Sequence, residues 1–232
     1  MSTERSERVD ELWTEFSSGK GREIAKNVRG WWADGLDRTD PLLLNLLKKA
    51  ATALHEEDQV LHRLLEGAVS GKGVSTGLAY WLFETTLVYI IFKAWLAAEP
   101  RRLIQWERGY GKNLRKKADL TVGEIGKVDE MRFECKWWNS NNKPTLEAIK
   151  YDLGKFANLK KGRGILVAFW WGCEGDECIW SWKAAWKKID EARGRKYLKR
   201  CTPIFAARFQ THVVIRKKHS GHKQHFAIAA FA

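Results

Sequence analysis

Cysteine is scarce, with four residues in a chain of 232. Cys173 and Cys178 stand five positions apart, which fits no usual zinc spacing. His219, His222 and His225 in HSGHKQH could add ligands in principle, but packed thiols beside a basic tail account for the same residues. The cysteines therefore read as free thiols of a reducing compartment, not as a disulfide framework. The N-terminus lacks the apolar core of a secretory signal and is charged from Glu4 onward, which points to a cytoplasmic protein. No uncharged run is long enough to span a bilayer. AYWLFETTLVYIIFKAWLAA at 79–98 has the length, but Glu84 and Lys93 inside it are costly in lipid, so a core helix is expected there and no membrane partner. A nucleotide-binding loop is missing as well. GAVSGKG has three residues, not four, between Gly67 and Gly71-Lys72, and Gly73 stands where Ser or Thr is required. No internal repeat divides the chain.

Hydrophobic residues make up 44%, enough for the core of one good-sized domain with a smaller lobe. Positive charge is concentrated. Residues 1–100 carry 12 Lys and Arg against 15 Asp and Glu, whereas residues 101–232 carry 29 against 13. The excess suggests a polyanionic partner for the C-terminal part, nucleic acid above all, although a solubilising surface has the same composition. Lys116, Lys117, Lys143, Lys150, Lys155, Lys160 and Lys161 are the candidates for tracking a phosphate backbone. A further basic helix is expected at about 179–199. Tryptophan is abundant, with 13 residues, and those at Trp137, Trp138, Trp170 and Trp171 lie in the basic part, where stacking on unpaired bases competes with ordinary packing.

The pattern along the chain is that of an α/β protein. Residues 9–66 read as helical, with Asp40 as N-cap, Pro41 at the first helical position and leucines at helical spacing. A loop follows, then an apolar helix over about 77–98 stopped by Pro100. Strands are expected at 102–107, 116–122 and 130–138, then an amphipathic helix after Pro144 with Leu146, Ile149, Leu153 and Phe156 on one face. The continuous apolar run GILVAFWW at 164–171 suits a central strand covered on both sides. Two more strands are expected near 203–216 and 224–231. A helical N-terminal region, 1–76, would pack on the remainder, 77–232, as a lobe or serve as a homodimer contact.

The strand RFECKWW alternates, so Phe133, Cys135 and Trp137 share one face while Glu134 and Lys136 emerge on the other, ~7 Å apart. Strand 116–122 alternates likewise. A hairpin with Gly126-Lys127 as its central residues pairs Val122 with Met131 and Leu120 with Phe133. That register sets Asp119 opposite Glu134, with Cβ atoms ~5 Å apart, and like charges so placed destabilise a sheet unless a cation lies between them. A hard divalent ion such as Mg²⁺ suits two carboxylates, and Lys136 could supply part of the compensation. Glu84 is a third acid, expected on the apolar face of its helix with Tyr80, Trp81, Leu87, Val88 and Ile91 around it. A carboxylate there costs several kcal/mol unless paired or metal-bound.

ADL at 118–120 and ECK at 134–136, after a hairpin and an upstream helical glutamate, resemble the PD-(D/E)xK, or restriction-endonuclease-like, nuclease superfamily. Residues 77–171 follow that superfamily's α-β-β-β-α-β order, although Ala118 stands where the motif's proline would be. The resemblance implies a restriction-endonuclease-like core, a mixed sheet flanked by helices, and a nuclease domain over 77–232. It implies that Asp119 and Glu134 bind Mg²⁺, with Mn²⁺ as a substitute, and that the backbone carbonyl of Cys135 is a further ligand. Lys136 would orient or activate the attacking water, and Glu84 would support the metal. The expected activity is phosphodiester hydrolysis, with DNA as the substrate. The competing expectation is a nucleic-acid-binding module on the same fold that has lost catalysis.

Overall fold

The computed structural model describes residues 22–23, 30–34, 40–66, 83–110, 113–127, 129–137, 143–156, 159, 161–173, 203–211 and 224–231, and the account below concerns these. The expected loop at 67–77, the basic helix at 179–199, Lys160, Trp138, His219 and His222 lie outside them.

Helix α1 spans Pro41–Glu66. Asp40 caps it as its sequence position implies: Oδ1 accepts the Leu42 N–H at 2.9 Å, an amide with no partner within the helix, and the carbonyl accepts the Leu44 N–H at 2.9 Å as the first bond of the helical ladder. Leu43, Leu46, Leu47, Ala50 and Leu54 recur at spacings of three and four and are all buried, so α1 presents a continuous apolar stripe. Helix α2 spans Glu84–Ala98 and buries Leu87, Val88, Ile91 and Trp95. Trp95 ties the two helices together, its Nε1–H donating to the Leu46 carbonyl at 2.7 Å. No helix among the described residues is long and apolar enough to cross a membrane.

Eight strands form one mixed sheet: β1 (Arg22–Glu23), β2 (Gly30–Asp34), β3 (Arg102–Tyr110), β4 (Asn113–Glu124), β5 (Asp129–Trp137), β6 (Arg163–Cys173), β7 (Pro203–Thr211) and β8 (Gln224–Phe231). Their spatial order is β1-β2-β7-β8-β6-β5-β4-β3. β5 and β6 are parallel and joined through helix α3 (Lys143–Phe156), as a crossover requires. The other pairings are antiparallel. From α2 to β6 the order is helix, three strands, helix, strand.

Met131, Phe133, Cys135 and Trp137 belong to one hydrophobic cluster with Leu120, Val122, Val167, Phe226 and the stripes of α1 and α2. Trp95 and Phe133 pack with ring centroids 4.6 Å apart, and Phe209 stacks on Phe226 at 5.2 Å. Each such large side chain contributes about 1.5–3 kcal/mol by leaving water. Helix α1 and helix α2 thus share one core with the sheet, although they come from the two sides of residue 76.

Two local expectations are corrected. Residues 30–34, expected within a helical region, form β2 and pair with β7 from Gly30↔Phe209 to Asp34↔Phe205. The GWWAD segment has the bulky aromatics that favour a pleated strand, and pairing to a sheet edge outweighs the helix formers around it. The β4–β5 turn is centred on Ile125-Gly126, not Gly126-Lys127, because the Lys127 N–H donates to the Glu124 carbonyl at 3.0 Å. Gly126 has φ 80°, so the second central position is the one that needs glycine. A bulge between Val122 and Gly123 absorbs the shift, and the ladder keeps Val122↔Met131 and Leu120↔Phe133.

Candidate active site

On the sheet face opposite the α1–α2 core, α3 lies against β5 and β6. Its Ile149 and Leu153 are buried, which brings Asp152 and Lys155 down onto the strand residues Glu134 and Lys136. The alternation of β5 thereby separates two environments: Phe133 and Cys135 enter the apolar core, while Glu134 and Lys136 enter a charged layer beneath α3.

The β4–β5 ladder runs to Leu120↔Phe133, so the next residue of each strand is Asp119 and Glu134. Asp119 turns its Oδ2 onto the Cys135 N–H at 2.6 Å, and a side chain thus takes a donor of the neighbouring strand. On the other flank, Trp106↔Leu120 and Arg108↔Ala118 place Glu107 across from Asp119. Glu107 has φ 52°, a left-handed conformation that costs a non-glycine residue of order 1–3 kcal/mol. Departures from regular β structure therefore flank Asp119 on both sides.

Glu134 has 1% of its side chain exposed, and its Oε2 accepts from the Lys155 ammonium at 2.8 Å. Lys155 also donates to Asp152 Oδ1 at 2.6 Å and to the Lys117 carbonyl at 3.2 Å. The other Asp152 oxygen, Oδ2, lies 3.2 Å from the Lys136 ammonium. Lys136 also donates to Glu84 Oε1 at 3.0 Å, and Glu84 Oε2 accepts the Trp137 N–H at 2.7 Å. A chain of ion pairs thus runs Glu84, Lys136, Asp152, Lys155, Glu134, with Asp119 beside it. Among these six side chains, four carboxylates face two ammonium groups, leaving two negative charges over.

Burial pushes the Asp119 carboxyl above the ordinary aspartate value, and the Glu84 and Asp152 charges add to the rise; the Cys135 N–H and Lys136 oppose it without cancelling it. Burial of Lys136 acts to lower its pKa, but the charges of Glu84, Asp152 and Asp119 and the Glu84 hydrogen bond outweigh it and hold Lys136 well above the ordinary lysine value. Lys155 is raised in the same way: burial lowers it, and the bonds and charges of Asp152 and Glu134 more than offset that. Both lysines are therefore cations at neutral pH. Burial and the neighbouring carboxylates hold the Cys135 thiol far above its usual range, which leaves it protonated and unsuited to be a nucleophile.

Asp119, Glu134, Lys136 and Glu84 are all within this network. Glu84 differs from its expected setting: it is the first residue of α2, its side chain is 36% exposed, and Tyr80 and Trp81 lie outside the described residues. A carboxylate in the first turn is favoured by the helix dipole. Lys155, expected on a phosphate-tracking surface, is instead the counter-ion of Glu134. Lys150 is paired with Glu147 at 2.9 Å and Lys117 with Glu107 at 3.0 Å, both at the surface, and Lys161 is exposed. The backbones of Lys116 and Lys143 belong to β4 and α3. Asp152 was missed by the sequence reading. Its signal was a charge three residues after Ile149 and next to Leu153, on the buried side of an amphipathic helix, the same kind of signal that singled out Glu84.

Among the described residues no group of three or more His, Cys, Asp or Glu side chains converges as a metal cage. The donor chemistry nevertheless fits a hard divalent cation, because the oxygen donors carry an excess of two negative charges. Asp119, Glu134 and the Cys135 carbonyl are the groups that could hold one. No protein-family model, curated protein or solved structure matches the chain.

Proposed function

We propose that the chain is a Mg²⁺-dependent nuclease that hydrolyses phosphodiester bonds in DNA, with the restriction-endonuclease-like arrangement that its ADL and ECK segments resemble. The observation that carries this reading is the gathering of Asp119, Glu134 and Lys136 at the point where the β4–β5 ladder stops, with more negative than positive charge. Four carboxylates against two ammonium groups is more acid than those two groups neutralise, and a bound divalent cation would offset the difference.

Asp119, Glu134 and the Cys135 carbonyl would hold the metal, which when bound supplies Lewis acidity and neutralises charge on the scissile phosphate. Lys136 is a preorganised ammonium fixed by Glu84 and Asp152. It orients the attacking water and stabilises charge that develops on the phosphate oxygens. As a cation it does not accept the water's proton, so of the two roles expected for it, orientation is the one its surroundings favour. Glu84 fixes both the Lys136 side chain and the Trp137 backbone. The lysines and arginines beyond residue 101 bring the polyanion to the site.

Incubation with supercoiled, linear, single-stranded and branched DNA, each with Mg²⁺, Mn²⁺ or EDTA, tests the reading. Cleavage is expected with either metal and not in EDTA. Glu134→Ala and Lys136→Ala should each lower the rate by about a hundredfold or more, as loss of a group acting on the reacting atoms does. Full activity in a folded variant would overturn the assigned roles. Metal-independent binding without cleavage would mark the chain as a binding module, a reading favoured by the seating of Lys155 on Glu134.

A further inference from the structure

The ammonium of Lys155 occupies the place where the proposed metal site needs a cation. It contacts Glu134 Oε2 at 2.8 Å and Asp152 Oδ1 at 2.6 Å, with only 10% of its side chain exposed, and the Lys117 carbonyl is a further acceptor at 3.2 Å. Three oxygens lie around this half-buried ammonium, and one of them belongs to a carboxylate assigned to the metal. We propose that Lys155 is a resident counter-cation of the acidic site, positioned by Asp152, which a divalent ion displaces from Glu134 on binding. The inference rests on the nuclease reading.

Several features of the cluster converge on this role. Glu134 is at the inner end of the network, so it needs a cation at all times. Asp152 faces both lysines, accepting from Lys155 at Oδ1 and lying at ion-pair distance from Lys136 at Oδ2 without a hydrogen bond, and when the metal takes Glu134, Asp152 keeps Lys155 within the site. Lys136 is anchored separately by Glu84 and does not have to move. Lys155 lies in the last turn of α3, where a flexible four-carbon stem lets the ammonium shift without refolding the helix. Such an arrangement makes metal occupancy a competition between two cations for one carboxylate.

Titration of the purified protein with Mn²⁺ alone, followed by calorimetry, tests this without a nucleic acid. Lys155→Met should bind Mn²⁺ more tightly than wild type by on the order of ten- to a hundredfold, the range over which groups bordering a metal shift its affinity. Its melting temperature should fall in EDTA and recover with Mn²⁺. If the methionine variant does not fold, Lys155→Gln, which keeps a donor but removes the charge, should show the same tightening. Lys127→Met, which removes a charge from the distant hairpin turn, controls for net charge and should leave the affinity unchanged. Equal or weaker Mn²⁺ binding by the Lys155 variants overturns the inference, and if cleavage still depends on metal the nuclease reading survives. Absence of Mn²⁺ binding by all the proteins overturns both.

Discussion

Burial sets the ionisation of Asp119 against that of its neighbours, and this has a measurable consequence for stability. Its folded pKa lies above the unfolded one, so the folded state retains the proton more strongly. Stability then falls as pH rises through the ordinary aspartate range and on through the folded value. Asp119→Asn keeps an acceptor for the Cys135 N–H and removes the charge. Without metal, thermal melts should show the variant more stable than wild type at neutral pH, with the gain shrinking toward acid and vanishing below about pH 3.8, where both carry no charge there. A gain that persists at low pH would mean that ionisation is not its cause. Glu84→Gln probes the other end of the network. The amide keeps one acceptor but not the charge that holds Lys136, so cleavage should fall on the order of tenfold while the melting temperature changes little, as for loss of one charge-assisted bond at a half-exposed site. Wild-type cleavage at limiting Mg²⁺ would make Glu84 structural.

Helix α3 matters at the next scale, because its seating on β5 and β6 decides where Asp152 and Lys155 stand. Its C-terminal Phe156 lies directly over Gly164 of β6, and a Cβ built there would sit 2.2 Å from the phenyl ring. Only a residue without a side chain permits this approach. Gly164→Ala should therefore push Phe156 and the last turn of α3 outward, costing about 1–3 kcal/mol as overpacking does. Lys155 precedes Phe156, so cleavage should fall along with stability. Denaturant unfolding and rate measurements on one preparation would check both; a stable, fully active Gly164→Ala protein would show that the α3–β6 contact does not set the site.

Across the whole molecule, the site is acidic and the chain is strongly basic, with a net charge of +13. Binding and chemistry should therefore separate. DNA affinity in EDTA should fall steeply with salt, the logarithmic slope reporting how many phosphates are neutralised. Asp119→Asn should bind at least as tightly as wild type in EDTA yet fail to cleave with Mg²⁺, because it removes a negative charge facing the phosphate. Titration of labelled DNA at several salt concentrations decides this. Salt-independent binding, or none, would remove nucleic acid as the partner.

Much of the local structure was legible in the sequence because short-range physics determines it. The Asp40-Pro41 start of α1, the alternation of β5 and the pairing of Leu120 with Phe133 follow from cap chemistry, a period of two and the match of apolar faces. The same match held up to Leu120↔Phe133, the pair next to Asp119 and Glu134, even though the turn is one residue from its expected centre. What a residue pairs with across distance was not legible. Residues 30–34 became a strand because β7 offered an edge, and Lys155 turned from a surface cation into the partner of Glu134 because the crossover lays α3 over β5. Local periodicity tells which way a side chain points, but only the packing of elements far apart in the chain tells which charge it meets, since ion pairing falls off with distance in space and is blind to separation in sequence.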